Sequence, residues 1–173
     1  MTSPRPPALI VFGGLPGTGK TTVSRELTMR LAATYIRIDA IEQTLQAAGL
    51  TVGTMGYVIA NALAADNLKL GRVVIADCVN PVLASRVGWR QTALRSSARI
   101  VEIELVCRDL ALHQQRAENR SSDISGHRHP TWDEIVNRHY EPWDREHLVL
   151  DTADSSLDHL VDCAEAYIRG GID

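Results

Sequence analysis

A glycine-rich segment lies between a predicted strand and a predicted helix near the start of the chain. Residues 14–21 read Gly-Leu-Pro-Gly-Thr-Gly-Lys-Thr, which matches the pattern G-x-x-x-x-G-K-S/T. An apolar run at residues 8–12 precedes the segment, and a helical pattern with Val23, Leu27 and Leu31 on one face follows it. Because strand, loop and helix come in the order that this pattern requires, the segment is predicted to bind phosphate groups.

The chemistry of phosphate binding explains the residue types in this loop. Backbone N–H groups can turn inward around a phosphate only where side-chain bulk is small, which the glycines allow. Lys20 can then reach the β- and γ-phosphates, Thr21 can offer its hydroxyl to Mg²⁺, and the helix N-terminus faces the anion. The predicted nucleotide-binding residues of the loop are Gly14, Leu15, Pro16, Gly17, Thr18, Gly19, Lys20, Thr21 and Thr22.

Composition limits the class of protein. The 173 residues, 45% of them hydrophobic, are enough for one domain with a full core. A net charge of -3 gives no positive field that would attract nucleic acid or an anionic membrane. The three cysteines are far apart and form no C-x-x-C pair, which favours reduced thiols and a cytoplasmic location. No apolar run approaches the roughly 18 residues of a membrane span, and residues 1–7 lack the apolar stretch of a secretion signal.

Strand-like apolar runs alternate with helical segments along the chain. Predicted strands cover residues 8–12, 35–38, 73–76, 100–106 and 147–150, and predicted helices after the loop helix cover 40–48, 54–70, 81–96, 110–119, 131–141 and 156–169. In the helix at 54–70, Val58, Ala62 and Ala65 fall on one side. Five strands with helical crossovers predict a three-layer α/β domain with a parallel sheet over residues 8–173, after a disordered tail at residues 1–7. Ligands should bind at the carboxyl ends of the strands.

Asp39 follows the second predicted strand, on the expected ligand side of the sheet. Its carboxylate could accept a proton from, or orient, a substrate hydroxyl that attacks the γ-phosphate. Residues 39–42 also read as a capping box, with Asp39 as the N-cap and Glu42 at the third helical position. The two interpretations are compatible, and the sequence favours a functional carboxylate because strand-end carboxylates lie beside the ligand.

Asp77 ends the third predicted strand and resembles the Walker B carboxylate. A buried strand would deliver it beside the phosphate loop, where it could support Mg²⁺ or contact the substrate. Asn80 is predicted as an ordinary helix N-cap before Pro81, with a substrate contact as the alternative. Arg86 and Arg90 share one helix face, and they are equally consistent with binding an anionic substrate group or with a solvated surface.

A polar segment with arginines at and within its ends is predicted to form a mobile lid. Arg116 and Arg120 lie at the end of the helix before it, and residues 121–130 contain Arg128 and one glycine. A lid that closes over the site excludes water and brings positive charge to a transferring phosphoryl group. The predicted lid covers about residues 119–131. The alternative is an exposed loop in which arginine complements a helix dipole.

Together these residues resemble the small P-loop kinases, a nucleoside-monophosphate-kinase-like group of P-loop NTPases that includes gluconate, shikimate and adenylyl-sulfate kinases. The resemblance is carried by the phosphate loop, Asp39, Asp77, Arg116, Arg120, and Asp151 with Thr152 after the last strand. Residues 74–77 with Asn80, and residues 130–132, are more similar to the zeta-toxin-like and polynucleotide-kinase-like branch. That branch often has an arginine three positions after the aspartate, where this chain has Glu42.

The resemblance implies a sheet order of 2-3-1-4-5 and a set of roles. Asp39 would be the catalytic base, Arg116 would pack on the adenine with residues after Asp151 such as Thr152, and Arg120 and Arg128 would contact phosphates. The predicted catalytic residues are therefore Lys20, Asp39, Arg120 and Arg128, the metal-binding residues Thr21 and Asp77, and the substrate-binding residues Asp39, Asp77, Asn80 and Arg86.

The sequence therefore predicts a kinase that uses ATP and Mg²⁺ to phosphorylate a hydroxyl of a small molecule. The main alternative is a non-catalytic or regulatory ATP-binding module, and a further one is a kinase of a nucleotide sugar or of a 5′-hydroxyl nucleic acid end. A pure binder gains nothing from a hydroxyl-facing carboxylate, which favours the kinase. We expect a monomer or homodimer with no membrane partner.

Overall fold

The fold is built on five parallel strands, as a computed structural model of residues 7–126 and 128–170 shows. The strands are β1 (Ala8–Gly13), β2 (Thr34–Arg37), β3 (Val73–Asp77), β4 (Arg99–Val106) and β5 (Leu148–Asp151), in the order β2-β3-β1-β4-β5. This order and the α/β class confirm the sequence prediction. The expected disordered tail falls on residues 1–6, which lie outside the described residues, and on Pro7, whose carbonyl accepts a hydrogen bond from the Arg99 amide.

Helices cover both faces of the sheet. They are α1 (Lys20–Leu31), α2 (Ile38–Ala47), α3 (Met55–Lys69), α4 (Leu83–Arg95), α5 (Leu110–Asn119), α6 (Trp132–Val136) and α7 (Leu157–Gly170). The central strand β1 is buried along its whole length, so its alternate side chains enter two separate cores. Ile10 and Phe12 pack with the apolar faces of α1 and α7, whereas Leu9 and Val11 pack with α3 and α4. The helices that the structure describes are each too short or too polar to span a lipid bilayer.

Three local predictions are wrong, and each concerns a helix start or a helix face. Helix α2 begins at Ile38, directly after β2, so Asp39 lies inside the first helical turn and caps nothing. Helix α4 begins at Leu83 with Val82 as its N-cap, so Asn80 is not the cap. In α3 the buried residues are Gly56, Ala60, Ala64 and Leu68, while Val58 is exposed.

Helix α6 is shorter than predicted, and an irregular segment follows it. The helix begins with a capping box, in which Thr131 is the N-cap and Glu134 bonds back to it, but it ends at Val136. Residues 137–147, which we call the strap, then run to β5 with no regular secondary structure. The strap lies against the turn before α4, where the Glu141 amide donates to the Pro81 carbonyl over 2.8 Å.

Arg86 holds the strap in place and does not lie on a solvated surface. Its side chain is fully buried, and its guanidinium donates to the carbonyls of Pro142, Glu141 and Asn80 over 2.7, 2.7 and 3.2 Å. The guanidinium also stacks over the Trp143 ring, 4.4 Å from the ring centroid. Arg86, one of the residues predicted to bind an anionic substrate group, therefore bonds within the protein and does not line the cleft described below.

Arg90, the second arginine of this pair, is also committed to the protein. Its Nε donates to the buried carboxylate of Glu102 over 3.0 Å, and its two terminal nitrogens donate to Asp144 over 2.6 and 2.7 Å. Arg145 of the strap donates to the same Glu102. The two arginines share a face as predicted, but that face packs against the strap and β4.

Replacing Arg86 by methionine is expected to destabilise the fold. The change leaves several strap and turn carbonyls without their donor, so we expect the free energy of unfolding to fall by about 3 kcal/mol. Urea unfolding followed by circular dichroism measures this. Arg95→Met, at the exposed end of the same helix, is the control. Equal stability of the two variants would contradict the structural role of Arg86.

Candidate active site

The glycine-rich loop has the backbone shape that its sequence predicts. Gly14, Gly17 and Gly19 have positive φ angles of 129°, 85° and 90°, which favour glycine. At Gly14 there is a further reason, because a Cβ there would collide with the backbone carbonyl of Leu105 in β4. Helix α1 begins at Lys20, immediately after the loop. The loop therefore brings backbone N–H groups and a helix N-terminus to the carboxyl end of β1, where an anion is favoured.

Lys20 is held inside the curl of the loop. Its side chain is buried, and its Nζ donates to the carbonyl of Leu15 over 2.8 Å. Burial lowers the pKa of Lys20, and the nearby carboxylates of Asp77 and Asp39 partly offset this effect. A buried ammonium with one hydrogen bond retains two donors for phosphate oxygens.

Thr21 and Asp77 form an oxygen pair suited to a hard cation. The Thr21 hydroxyl donates to Asp77 Oδ2 over 2.8 Å, and the Tyr35 hydroxyl donates to the same oxygen over 2.6 Å. Within the described residues, no cluster of three or more His, Cys, Asp or Glu side chains could hold a metal ion. One hydroxyl and one carboxylate fit Mg²⁺, which keeps several water ligands and takes the rest from substrate phosphates.

Asp39 faces the phosphate loop from the first turn of α2. It lines the same cleft as Lys20 and Asp77. Burial lowers the pKa of both Lys20 and Arg120, and the negative charge of Asp39 partly offsets this effect. The direct strand-to-helix junction at Ile38 explains this position, because it places the carboxylate two residues past the strand end. Beyond Asp39 the cleft continues to Glu42 and Tyr57. Burial raises the pKa of Glu42, and the charge of Asp39 adds to this.

Arg116 belongs to a hydrogen-bonded group that links α5, Thr152 and the phosphate loop at the other end of the cleft. Its guanidinium donates from α5 to the hydroxyl and carbonyl of Thr152, over 2.9 and 3.1 Å. The Thr152 hydroxyl is also 3.0 Å from the carbonyl of Thr18 in the loop. Arg116 and Thr152 both line the cleft, so the predicted adenine-side pair lies beside the phosphate loop.

The remaining predicted residues have different surroundings. Arg120 lines the cleft, and burial lowers its pKa. Its Nε is buried and makes no hydrogen bond to any of the residues that the structure describes. Arg128 also lines the cleft but is exposed, with Glu134 at 3.1 Å. Asn80 is fully buried with a φ of 54°, and its side-chain oxygen accepts from Ser85, so it supports the turn beneath the cleft.

A group of charged residues at the β2 edge of the cleft was not predicted from the sequence. Arg25 and Arg37 both donate to Asp123 in the predicted lid, and Arg37 Nε lies 3.9 Å from Asp77 Oδ2. The available signal was the spacing of Arg37 two residues before Asp39, at the end of a strand that points to the ligand side. No local pattern connects these arginines to Asp123, which is 86 residues away from Arg37.

The charged side chains of Lys20, Asp39, Asp77, Arg116 and Arg120 line one cleft of about 1270 Å³ at the carboxyl ends of the strands. A glycine loop at the end of β1, a carboxylate after β2 and another after β3 define a P-loop nucleotide-binding α/β protein. The sequence comparison is more specific. The chain belongs to the AAA domain family, whose model matches residues 9–142.

Solved structures with the same fold include several kinases. A gluconokinase from Sinorhizobium meliloti superposes with a TM-score of 0.67 at 18% identity, over 96% of this chain and 94% of that one. The APS kinase of Mycobacterium tuberculosis, solved with AMPPNP and APS, gives a TM-score of 0.69 at 16% identity over 96% and 99%. Kti12 from Chaetomium thermophilum, solved with ADP-AlF3, gives 0.60 at 22% identity over 92% and 98%. The chain thus has the fold of the small P-loop kinases.

One curated relative covers only a part of the chain. It is a Caenorhabditis elegans protein described as an ATPase family protein 2 homolog, 31% identical over 68 residues. These residues are 39% of this chain and 9% of the relative.

Proposed function

We propose that this chain is a kinase that transfers the γ-phosphate of ATP to a hydroxyl group of a small molecule. The observation that carries the proposal is the arrangement of Asp39, Lys20 and Arg120 around one cleft, with a carboxylate electrostatically coupled to both cations. The kinases among the structural relatives support it, since one is titled a gluconokinase and another an APS kinase bound to AMPPNP and APS.

The proposed step forms one bond and breaks one. The acceptor oxygen attacks the γ-phosphorus, the bond to the oxygen that bridges the β- and γ-phosphates breaks, and ADP leaves. Asp39 takes the proton of the attacking hydroxyl, while Lys20 and the loop amides hold the β- and γ-phosphate oxygens. Arg120, with Arg128 from the predicted lid, offsets the negative charge on the transferring group.

Two residues would hold the metal ion in this proposal. Thr21 offers a hydroxyl and Asp77 a carboxylate, and Mg²⁺ bound there with the phosphates would neutralise charge on the nucleotide. Tyr35 orients the Asp77 carboxylate by donating to Oδ2. Burial and the adjacent Asp77 raise the pKa of Tyr35 further above its ordinary value, so its hydroxyl remains a donor.

A regulatory ATP-binding module is the second candidate. The AAA domain family and the similarity to Kti12 are compatible with it. Nucleotide binding alone would use the loop, Thr21 and Arg116, but it gives no role to the half-buried carboxylate of Asp39 beside Lys20. The kinase accounts for more of the residues that line the cleft.

Acceptor-dependent formation of ADP separates the two candidates. The chain is mixed with ATP, Mg²⁺ and fractions of a small-molecule extract, and ADP is measured by a coupled enzyme assay. A kinase forms ADP much faster with one fraction than with the others. A uniform slow rate in every fraction, together with tight ATP binding, would support the regulatory module.

A further inference from the structure

Asp123 lies between two arginines that belong to the rigid part of the fold. Arg37 Nη1, at the end of β2, is 2.9 Å from both carboxylate oxygens of Asp123. Arg25 Nη2, on α1, donates to one of these oxygens. Asp123 itself belongs to residues 120–126, which have no helix or strand. A carboxylate from an irregular segment thus fills a site formed by two regular elements.

The two guanidinium groups have more donors than Asp123 uses. Only one nitrogen of each arginine bonds to it, although a guanidinium can bind a carboxylate or phosphate through two nitrogens at once. Arg37 is only 11% exposed, yet its Nε makes no hydrogen bond to the described residues. Arg37 Nε is itself buried and lies 3.9 Å from Asp77 Oδ2. The site therefore already binds a carboxylate through one terminal nitrogen of each arginine, and the second terminal nitrogen of each is not used by Asp123.

The surrounding cleft adds a third cation. Arg120 lines the same cleft, where burial lowers its pKa and the nearby charge of Arg37 adds to this effect. Arg120 Nε also lacks a hydrogen-bond partner among the described residues. Three arginines from α1, β2 and the end of α5 thus line the cleft that also contains Asp39, where the proposed acceptor hydroxyl would lie.

We propose that Arg25 and Arg37 form the subsite for an anionic group of the acceptor, and that Asp123 occupies this subsite as an internal substitute. The inference rests on the proposed function and narrows its substrate class to a hydroxylated molecule that carries a carboxylate or phosphate. The ligand's anion takes the place of the Asp123 carboxylate, and residues 120–126 are then released from the β2 edge.

The strength of the internal contact is compatible with exchange. Asp123 and Arg25 are 43% and 49% exposed, and ion pairs of such exposure contribute little net stability. Hydrogen bonds, first from Arg37 and then from Arg25, lower the pKa of Asp123 to about 2. Asp123 therefore stays charged at neutral pH and competes with a ligand as a true anion.

Titration of inorganic phosphate tests the subsite. The full chain is first loaded with Mg²⁺ and a non-hydrolysable ATP analogue so that the phosphate loop is filled, and phosphate or acetate binding is then measured by calorimetry. Asp123→Asn removes the internal competitor, so we expect phosphate to bind about tenfold more tightly than to the native chain. Adding Arg37→Gln to this variant should abolish the gain. The matched control adds Arg30→Gln, on the same helix as Arg25 but paired with Asp158 and Asp162, and should retain it.

Two results would overturn the subsite. In the first, Asp123→Asn leaves phosphate and acetate affinity unchanged, while amide exchange of residues 120–126 becomes faster. The contact would then only hold these residues against the β2 edge. The other is a gain in affinity that survives Arg37→Gln. Arg25→Gln in the Asp123→Asn background provides a second variant if the buried Arg37 proves necessary for folding. Anion binding as expected without transfer to any acceptor would refute the kinase, whereas transfer without anion binding would refute only the subsite.

Discussion

Lys20→Ala is expected to weaken ATP binding by at least about tenfold and to reduce phosphate transfer below detection. The Lys20 ammonium is buried in the loop, and the Leu15 carbonyl is its one hydrogen-bond partner among the described residues, so its remaining donors would contact the β- and γ-phosphates. Because the charge acts on the transferring phosphoryl group, its loss should affect the rate more than the affinity. Calorimetric titration with ATP and a transfer assay measure the two effects.

The control for Lys20 is the exposed lysine at the end of α3. Lys69→Ala removes a cation that pairs with Asp66 at the surface, and it should leave ATP affinity and the transfer rate unchanged. Circular dichroism spectra show whether each variant is folded. Equal ATP affinity in the native chain and in folded Lys20→Ala would refute the phosphate-loop interpretation.

Asp39→Asn is expected to lower turnover on the order of a hundredfold while ATP binding is retained. The amide has nearly the same size as the carboxylate but cannot accept the proton of the acceptor hydroxyl. ATP affinity should change little, because the loop amides and Lys20 make the phosphate contacts in the proposed mechanism. Turnover at saturating ATP and acceptor, compared with ATP affinity from calorimetry, separates the two effects.

A surface aspartate provides the matched control for this substitution. Asp66 is exposed on α3 and does not line the cleft. Asp66→Asn changes the net charge by the same amount as Asp39→Asn. Its turnover should equal that of the native chain. If Asp39→Asn also kept native turnover, Asp39 would not be the base, and the regulatory module would become the better account.

The phosphate loop and the order of the elements could be predicted because both depend on short-range patterns. The loop lies in one continuous segment of eight residues, and the apolar runs that form β1 and β3 are bounded by turn residues. The strand order followed from the resemblance to the small P-loop kinases. Asp77 could be found in the same way, since it directly ends a buried strand.

Helix α3 shows why a helix face could not be predicted. Its sequence is apolar on nearly all sides, with Val58 and Leu63 exposed and Ala60 and Ala64 buried. Periodicity identifies a buried face only when the opposite face is polar. The buried face consists mainly of small residues because α3 packs closely against its neighbours there. Those neighbours lie elsewhere in the chain, so the local pattern does not reveal which face is buried.

The arginines illustrate the same limit at long range. The spacing of Arg86 and Arg90 predicted a shared face, but each also bonds to the strap, more than 50 residues later in the chain. Arg37 and Asp123 are separated even further and meet only because the segment after α5 crosses to the β2 edge. Charge pairing of this kind depends on the tertiary fold, so the sequence showed the charges but not their partners.

Transfer of labelled phosphate tests the central claim most directly. ATP labelled at the γ-phosphate is incubated with Mg²⁺, the native chain and a fractionated pool of hydroxylated metabolites, nucleotide sugars, antibiotics and 5′-hydroxyl RNA, with Asp39→Asn in parallel. The kinase account predicts label in one small-molecule fraction with the native chain, and on the order of a hundredfold less with Asp39→Asn. Tight ATP binding with no label in any fraction would contradict it.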